Sequence, residues 1–348
     1  MDRLFAGLLI FVPIAGLAAF EAAPTVVVFA CAALAIVPLA KYVGEATEEL
    51  TRYVGTALGG LLNATFGNAP ELIIALFALQ HGLIDVVKAS IIGSILANLL
   101  FGLGLALLIG GVKYRQQKFN ETAAKSSGST LFLTVLALIM PAIFLATSGT
   151  DNPHTVEILS IVVAILLIVA YGASLVFSLW THQHLYAREA AGYMPRWSRE
   201  KAVAVLLAAM IAVALMSELV VGSIEPLIAS FGWTQVFVGV ILLALVGNAA
   251  EYASAIRVAM RNNAGLALQI SIGSATQIAM FVAPALVVVS SLFARPLNLV
   301  FTSFELVALI LSVLVVNSVV DDGESNWFEG LLLLIGYSVI AVAFFLHP

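Results

Sequence analysis

Long apolar runs separated by short polar breaks make up most of the chain. Each run approaches the roughly 20 residues that an α-helix needs to cross the hydrocarbon core of a bilayer. The breaks carry charge, Gly, Pro or Asn, as in SGTDNPH at 148–154 and RNNAG at 261–265. The pattern predicts eleven transmembrane helices, at 4–20, 25–43, 55–80, 88–111, 129–147, 156–180, 202–230, 235–259, 267–293, 298–319 and 327–346.

Composition supports a membrane-embedded chain. Hydrophobic residues make up 62% of the 348 positions and charged residues 10%, and the mean hydropathy is +1.09. Soluble domains are about 45–50% apolar and about 25% charged, so the sequence predicts an all-α polytopic protein with the lipid bilayer as its surroundings. The small net charge of −5 does not suggest a nucleic-acid partner. A single cysteine, Cys31, excludes a disulfide framework.

The loop charges predict the orientation, because Lys and Arg accumulate in cytoplasmic loops. With eleven spans and the N-terminus inside, only Lys88 and Arg295 lie on the outer side, and the other 13 of the 15 Lys and Arg residues lie inside. The C-terminus is then outside.

Two motif pairs indicate an internal repeat with an offset of 180 residues. GNAPEL at 67–72 matches GNAAEY at 247–252, and SIIGSILANLLF at 90–101 matches ISIGSATQIAMF at 270–281. We therefore expect an extra N-terminal helix at 1–22, a first repeat at 23–181, a cytoplasmic linker at 182–201 and a second repeat at 202–348. Five spans per repeat is an odd number, so the halves have opposite orientation, a common plan of secondary transporters. A duplicated bundle without a transport role is the alternative.

The repeated motifs place a glutamate and an asparagine within apolar spans. Glu71 follows Asn68 by three residues, and Glu251 follows Asn248 by three, so each pair shares a helix face. An ionisable residue within a span usually marks an ion pathway or a site facing the protein interior. The alternative is a protonated glutamate bonded to a nearby backbone carbonyl. Pro70 cannot donate to the carbonyl four residues earlier and predicts a kink there.

The spans that follow add oxygen-bearing side chains on one helix face. Ser94 and Asn98 are four residues apart, and Ser274 and Gln277 are three apart. Such oxygen ligands suit a hard cation such as Ca²⁺, and no Cys/His set for zinc or copper is present. The candidate cation-binding residues are Glu71, Glu251, Asn68, Asn248, Ser94, Asn98, Ser274 and Gln277.

Further acids are candidates for ion access or relay. Glu218 and Glu225 lie in the seventh predicted span. Glu45, Glu48 and Glu49 follow the second span and are equally well explained as a solvated amphipathic helix end. The five histidines, at 81, 154, 182, 184 and 347, are expected in loops or at the chain end.

The motifs GNAPELI, GSILANLL, GNAAE and GSATQI together resemble those of the cation/proton exchangers, the CAX branch of the calcium/cation antiporter superfamily. The resemblance covers nearly all of the chain after the first span. It implies Ca²⁺/H⁺ antiport in a prokaryotic plasma membrane, with Ca²⁺ as a transported substrate and no cofactor. It also implies that Glu71 and Glu251 are the central metal ligands and proton carriers, with the other candidate residues completing or surrounding the site. Many relatives have His after the second acid, where this chain has Tyr252.

The expected chemistry is competition between a metal and protons. Two carboxylates that are close together in a low dielectric resist being charged together, and a divalent cation reverses that preference and releases protons. Exchange of Na⁺ or K⁺ for H⁺, exchange of Na⁺ for Ca²⁺, and a cation channel are alternatives. An intramembrane enzyme is disfavoured, because no predicted span contains a His to act as a base.

The predicted orientation can be tested by cysteine labelling. In a chain with Cys31→Ala, Ser198→Cys in the predicted cytoplasmic linker is expected to resist a membrane-impermeant thiol reagent applied to intact cells. Asn152→Cys in the predicted outer loop is the control and is expected to react. Rapid labelling at position 198 in intact cells would contradict both the orientation and the inverted repeat.

Overall fold

The computed structural model describes residues 2–149, 152–181, 196–293 and 296–347. This part of the chain is almost entirely helical, and its single short strand pair joins β1, Gln117–Lys118, antiparallel to β2, Glu324–Ser325. Most of the predicted linker 182–201 lies outside the described residues, with its histidines at 182 and 184. The described residues form two compact units, one from 1–81 and 172–233 and the other from 82–171 and 234–348.

In the first unit, two long helices pack along each other. Its helices are α1 (Asp2–Leu8), α2 (Phe11–Phe20), α3 (Thr25–Phe66), α4 (Ala69–Gln80), α9 (Arg199–Gly222) and α10 (Ile224–Phe231). Helix α9 packs along α3 and also against α4. Small side chains such as Ala32 and Ala35 of α3 and Ala202 of α9 are fully buried. Small residues allow helix backbones to approach closely in membranes.

The second unit contains most of the remaining helices, several of which are interrupted by π-helical turns. They are α5 (Ile84–Leu96), α6 (Leu103–Lys113), α7 (Glu121–Ser148), α8 (Pro153–Val176), α11 (Gln235–Phe237), α12 (Ala244–Gly247), α13 (Ala249–Ala259), α14 (Ala264–Gln277), α15 (Ala283–Ser290), α16 (Ser303–Val319) and α17 (Trp327–Leu346). Residues 172–176 at the end of α8 belong to the first unit. The π-helical segments of this unit are Ala97–Gly102, Val238–Leu243 and Ile278–Val282, and a fourth, Phe177–Thr181, follows α8 in the first unit. Helix α13 packs on α6 and α14, where Ala106, Ala255, Ala259 and Ala267 form a buried cluster.

The helices identify the chain as a membrane protein with several spans. Among the described residues, seven helices are long and apolar enough to cross a bilayer. An eighth results if Gln235–Gly247 and Ala249–Ala259, which meet at a bend of 54°, form one span. The shorter apolar helices Phe5–Phe20 and Ser303–Val319 lie within two further predicted spans, and Ala69–Gln80 covers only the second half of the predicted span 55–80. The total of eleven spans stays a prediction.

The boundary predicted between the second and third spans, at 43–55, differs from the structure. Helix α3 continues through this polar stretch to Phe66. The acids there pair along the helix, Glu45 with Lys41 at 3.0 Å and Glu49 with Arg52 at 2.7 Å. Ion pairs at these spacings stabilise a helix, so a charged stretch that resembles a loop in sequence remains helical.

The 180-residue offset of the motifs recurs in the secondary structure. Helix α4 begins at Ala69 and α13 at Ala249, while α5 begins at Ile84 and α14 at Ala264. A π-helical segment follows α5 and another follows α14. Local structure therefore supports the internal repeat, whereas the opposite orientation of its halves stays a prediction.

Two glycines bring backbone segments of the second unit into direct contact. A Cβ atom on Gly93 of α5 would lie 2.2 Å from the carbonyl oxygen of Val240, and one on Gly239 would lie 2.6 Å from that of Val86. Helix α5 and the π-helical segment Val238–Leu243 therefore pack backbone against backbone, which any side chain at these positions prevents.

Gly93→Ala is expected to destabilise the protein, because the backbone of Val240 has to move to admit the methyl group. Overpacking of this kind costs about 1–3 kcal/mol. The matched control is Gly336→Ala within α17, where a Cβ atom has no neighbour within 4 Å. Thermal unfolding in detergent should show a lower midpoint for the first variant only, and equal midpoints would contradict the close packing.

Candidate ion-binding site

Each repeated motif sits at a helix break. The backbone of Asn68 has φ −103° and ψ 24°, and that of Asn248 has φ −93° and ψ 13°. Pro70 lies in the first turn of α4. Backbone N–H groups in the first turn make no hydrogen bond within the helix, so a proline there removes none. The helix is thus interrupted at Asn68, two residues before Pro70, where the sequence predicted a kink. The second break has Ala250 at the equivalent position, so proline is not required for this geometry.

In the first unit, the motif places a carboxylate at the beginning of a short helix. Asn68 and Glu71 are buried, with 2% and 8% of their surface exposed. Glu71 lies in the first turn of α4, where the positive end of the helix dipole favours a negative charge. This end of α4 therefore suits the ionised form of Glu71, and that carboxylate is the group that would bind a cation.

In the second unit, four predicted residues form a buried polar cluster, Ser94, Asn98, Asn248 and Ser274. The Nδ2 atom of Asn98 donates to Oδ1 of Asn248 at 2.6 Å and to Oγ of Ser274 at 3.1 Å. The Nδ2 atom of Asn248 donates to Oγ of Ser94 at 3.0 Å. All four are at most 7% exposed. Three separate chain segments thus contribute to the polar cluster, whose role in ion binding stays a prediction.

Two buried oxygens at this break have no hydrogen-bond partner among the described residues. They are Oδ1 of Asn98 and Oε2 of Glu251. Glu251 lies in the first turn of α13, three residues after Asn248. A buried acceptor without a partner is unfavourable, so both oxygens favour either a hydrogen-bond donor or a bound cation. Gln277, the last residue of α14, is partly buried.

The polar cluster contains amide and hydroxyl oxygens, which are ligand types that hard cations accept. Within the described residues, no group of three or more His, Cys, Asp and Glu side chains could hold a metal ion. A cation bound at the second break would therefore depend on amide, hydroxyl and backbone oxygens beside a carboxylate. Ca²⁺ accepts such mixed oxygen ligands in flexible geometry.

The other predicted acids lie nearer the surface of the first unit. The side chain of Glu218 is 48% exposed, with Oε1 3.6 Å from Nε2 of His81 at the end of α4. Glu225 is exposed on α10. Their role in ion access or relay stays a prediction.

Glu49 joins two distant parts of the first unit. It is 6% exposed, and its Oε2 atom accepts hydrogen bonds from the backbone N–H groups of Arg196 at 2.8 Å and Trp197 at 3.3 Å. These contacts anchor the residues before α9 to α3. The prediction of either a relay group or a solvated helix end missed this structural role, because its partners are 147 and 148 residues away.

Side chains that the sequence did not single out hold the end of α13. Nε2 of Gln117 donates to the carbonyl oxygen of Ala259 at 2.9 Å, and Nζ of Lys113 donates to that of Met260 at 2.9 Å. Gln117 is 1% exposed. The helix that carries Glu251 is thus fixed at its C-terminal end by contacts that no local motif reveals.

Tyr252, at the position where many members of the resembled family have His, packs within the second unit. Its ring packs edge-to-face on Phe101, with the ring centres 5.4 Å apart. Its hydroxyl donates to the carbonyl oxygen of Ala244 at 3.2 Å. It is 6% exposed.

Comparison with known proteins gives matches along nearly all of the chain. The sequence model of the family described as sodium/calcium exchanger protein matches residues 24–180 and 201–346. The Ca(2+)/H(+) antiporter of Aphanothece halophytica is 46% identical over 363 aligned positions, covering 100% of this chain and 97% of that protein. The Ca(2+)/H(+) antiporter ChaA of Bacillus subtilis is 46% identical over 329 positions, covering 93% of each chain.

Solved structures agree with these matches. The structure of native YfkE is 41% identical, with a TM-score of 0.86 over 98% of this chain and 99% of that one. The H+/Ca2+ exchanger CAX has a TM-score of 0.74 at 15% identity, over 99% of this chain and 92% of that one, which shows a shared fold alone. Together, these comparisons confirm the resemblance that the motifs indicated.

Proposed function

Because the chain belongs to the sodium/calcium exchanger protein family, we propose that it is an antiporter that exchanges Ca²⁺ for H⁺ across a membrane. Relatives that are 46% identical are named Ca(2+)/H(+) antiporters. The observation that carries the proposal is the buried polar cluster at the second helix break. The cluster supplies amide and hydroxyl oxygens. Glu251 follows Asn248 by three residues, and its Oε2 atom has no hydrogen-bond partner among the described residues.

Competition between ions follows from burial. An ionised carboxylate in a low dielectric is unfavourable unless it is paired. Protonation removes the charge of Glu71 or Glu251, and a bound Ca²⁺ compensates it. Occupancy by the metal and occupancy by protons then exclude each other at these side chains. Asn68 would supply a further oxygen at the first break, and Asn248, Ser94, Asn98, Ser274 and Gln277 would supply further oxygens in the second unit. We expect no cofactor, with Ca²⁺ as the transported substrate.

Alternating access would complete the cycle. The recurrence of helix starts at the 180-residue offset supports two related halves. Eleven spans, with five in each repeat, would give these halves opposite orientation and place the N-terminus inside and the C-terminus outside. In a prokaryotic plasma membrane, the inward proton gradient would then drive Ca²⁺ out of the cell. The protein moves ions without covalent chemistry, so we expect no enzymatic activity.

The alternatives differ in what drives the flux. A sodium-coupled exchanger needs sites for the monovalent ion, whereas Gly-Asn-Ala at 67–69 and 247–249 offers no hydroxyl directly before either motif acid. Solved sodium-calcium exchanger structures share the fold at 20% identity, with a TM-score of 0.56. A channel would conduct Ca²⁺ without stoichiometric proton movement.

Glu71→Gln and Glu251→Gln are each expected to abolish Ca²⁺ transport while the protein stays folded, because a neutral amide cannot alternate between a metal ion and a proton. The assay is Ca²⁺ uptake into proteoliposomes with an imposed pH gradient. Glu121→Gln, which changes a 55% exposed side chain, is the control and should transport normally. Wild-type rates in either motif variant would remove that glutamate from the site.

Ca²⁺ flux is expected to depend on a pH difference and not on a Na⁺ gradient, because the motif carboxylates exchange the metal for protons. The measurement is Ca²⁺ flux into Na⁺-free vesicles, with the proton gradient either imposed or collapsed by a protonophore. Flux that requires Na⁺ on the opposite side and ignores pH would instead assign the chain to sodium-coupled exchange. Flux without accompanying proton movement would favour a channel.

A further inference from the structure

Three donors converge on one carbonyl oxygen at the second helix break. The oxygen of Ala244, the first residue of α12, accepts from the backbone N–H of Asn248 at 3.2 Å and from Nδ2 of Asn248 at 2.9 Å. It also accepts from the hydroxyl of Tyr252 at 3.2 Å. Tyr252 lies beyond the break, in α13, so its hydrogen bond joins the helices on the two sides of the 54° bend.

The ring of Tyr252 has little freedom to move. Besides its contact with Phe101, it covers Gly102, where a Cβ atom would lie 2.5 Å from Cδ1 of the tyrosine. The absence of a side chain at Gly102 is what makes room for the ring. Because the side chain has only two rotatable bonds, a ring that is fixed by packing also restricts the position of the helix that carries it. The hydroxyl therefore links the start of α13 to Ala244 through a rigid side chain.

The first break is held differently. The residue that matches Tyr252 is Leu72, which has no hydroxyl, and the residue that matches Ala250 is Pro70. A proline cannot bond the carbonyl four residues earlier, so the first break is built into the covalent structure. Ala250 retains an N–H group that can bond the carbonyl of Val246 and straighten the helix. The second break therefore needs a non-covalent restraint.

We propose that Tyr252 is a positioning residue, whose hydroxyl holds the bend at Asn248 and so orients the neighbouring Glu251. Tyr252 would maintain the second helix break, as Pro70 maintains the first. This inference rests on the proposed function, because the cation affinity of the site is what the bend would control.

The direct test is Tyr252→Phe, which removes the hydroxyl and keeps the ring. Its apparent Ca²⁺ affinity in proton-driven uptake should fall roughly two- to tenfold, the range expected for loss of one buried hydrogen bond, with a smaller effect on the maximal rate. Tyr337→Phe is the matched control. Tyr337 is buried against the same Phe101, and its hydroxyl has no hydrogen-bond partner among the described residues, so its removal should leave Ca²⁺ affinity unchanged.

A second substitution that restores Ca²⁺ affinity would distinguish a positioning role of Tyr252 from a general structural role. Adding Ala250→Pro to Tyr252→Phe copies the first break and should restore the Ca²⁺ affinity. Failure of a folded double variant to regain affinity would overturn the proposal, as would wild-type affinity in Tyr252→Phe. If Ala250→Pro yields no folded protein, the comparison of Tyr252→Phe with Tyr337→Phe decides alone, and equal affinities overturn the proposal.

A second readout keeps this test independent of transport. Ca²⁺ that binds the folded protein raises its thermal unfolding midpoint, and the shift at a given Ca²⁺ concentration grows with affinity. The Ca²⁺ concentration needed for a given shift should therefore rise in Tyr252→Phe and return towards wild type in the double variant. If the wild-type protein carried no pH-driven Ca²⁺ flux, the proposed function would fail. The binding readout would still test the role of Tyr252.

Discussion

A buried polar group must find a partner inside the protein, and the second unit is arranged around this constraint. In a bilayer, water is absent from the hydrocarbon region and cannot satisfy exposed amide or hydroxyl groups. The amide of Asn98 meets this demand by donating to Asn248 and Ser274, and the amide of Asn248 donates in turn to Ser94. Three segments that are distant in sequence are held together by these hydrogen bonds.

The same constraint explains why some oxygens remain available. The donors at the break are used within the protein, while Oδ1 of Asn98 and Oε2 of Glu251 are buried without a hydrogen-bond partner among the described residues. Oxygen acceptors in a low dielectric favour a cation or a proton. The hydrogen bonds of the polar cluster thereby stabilise the fold, and the two remaining oxygens are the ones that the proposed ion exchange would use.

The repeats share their plan but not all of their supporting contacts. Both motif helices start after an asparagine with nearly the same backbone angles, although one has proline and the other alanine in its first turn. Helix α13 is held near its start through Tyr252 and Ala244 and at its end through Gln117 and Lys113. The contacts that hold the motif helix therefore differ between the repeats, while the glutamate keeps the same position relative to the break.

The sequence by itself determined the helical membrane class, the repeat and the residues of the polar cluster. Apolar run length and polar residues within spans are local signals, so Ser94, Asn98, Asn248 and Ser274 could be named in advance. Tertiary structure decided the structural use of Glu49 and the anchoring of α13 by Gln117. Those outcomes depend on partners up to 148 residues away, which periodicity and spacing along the chain cannot reveal.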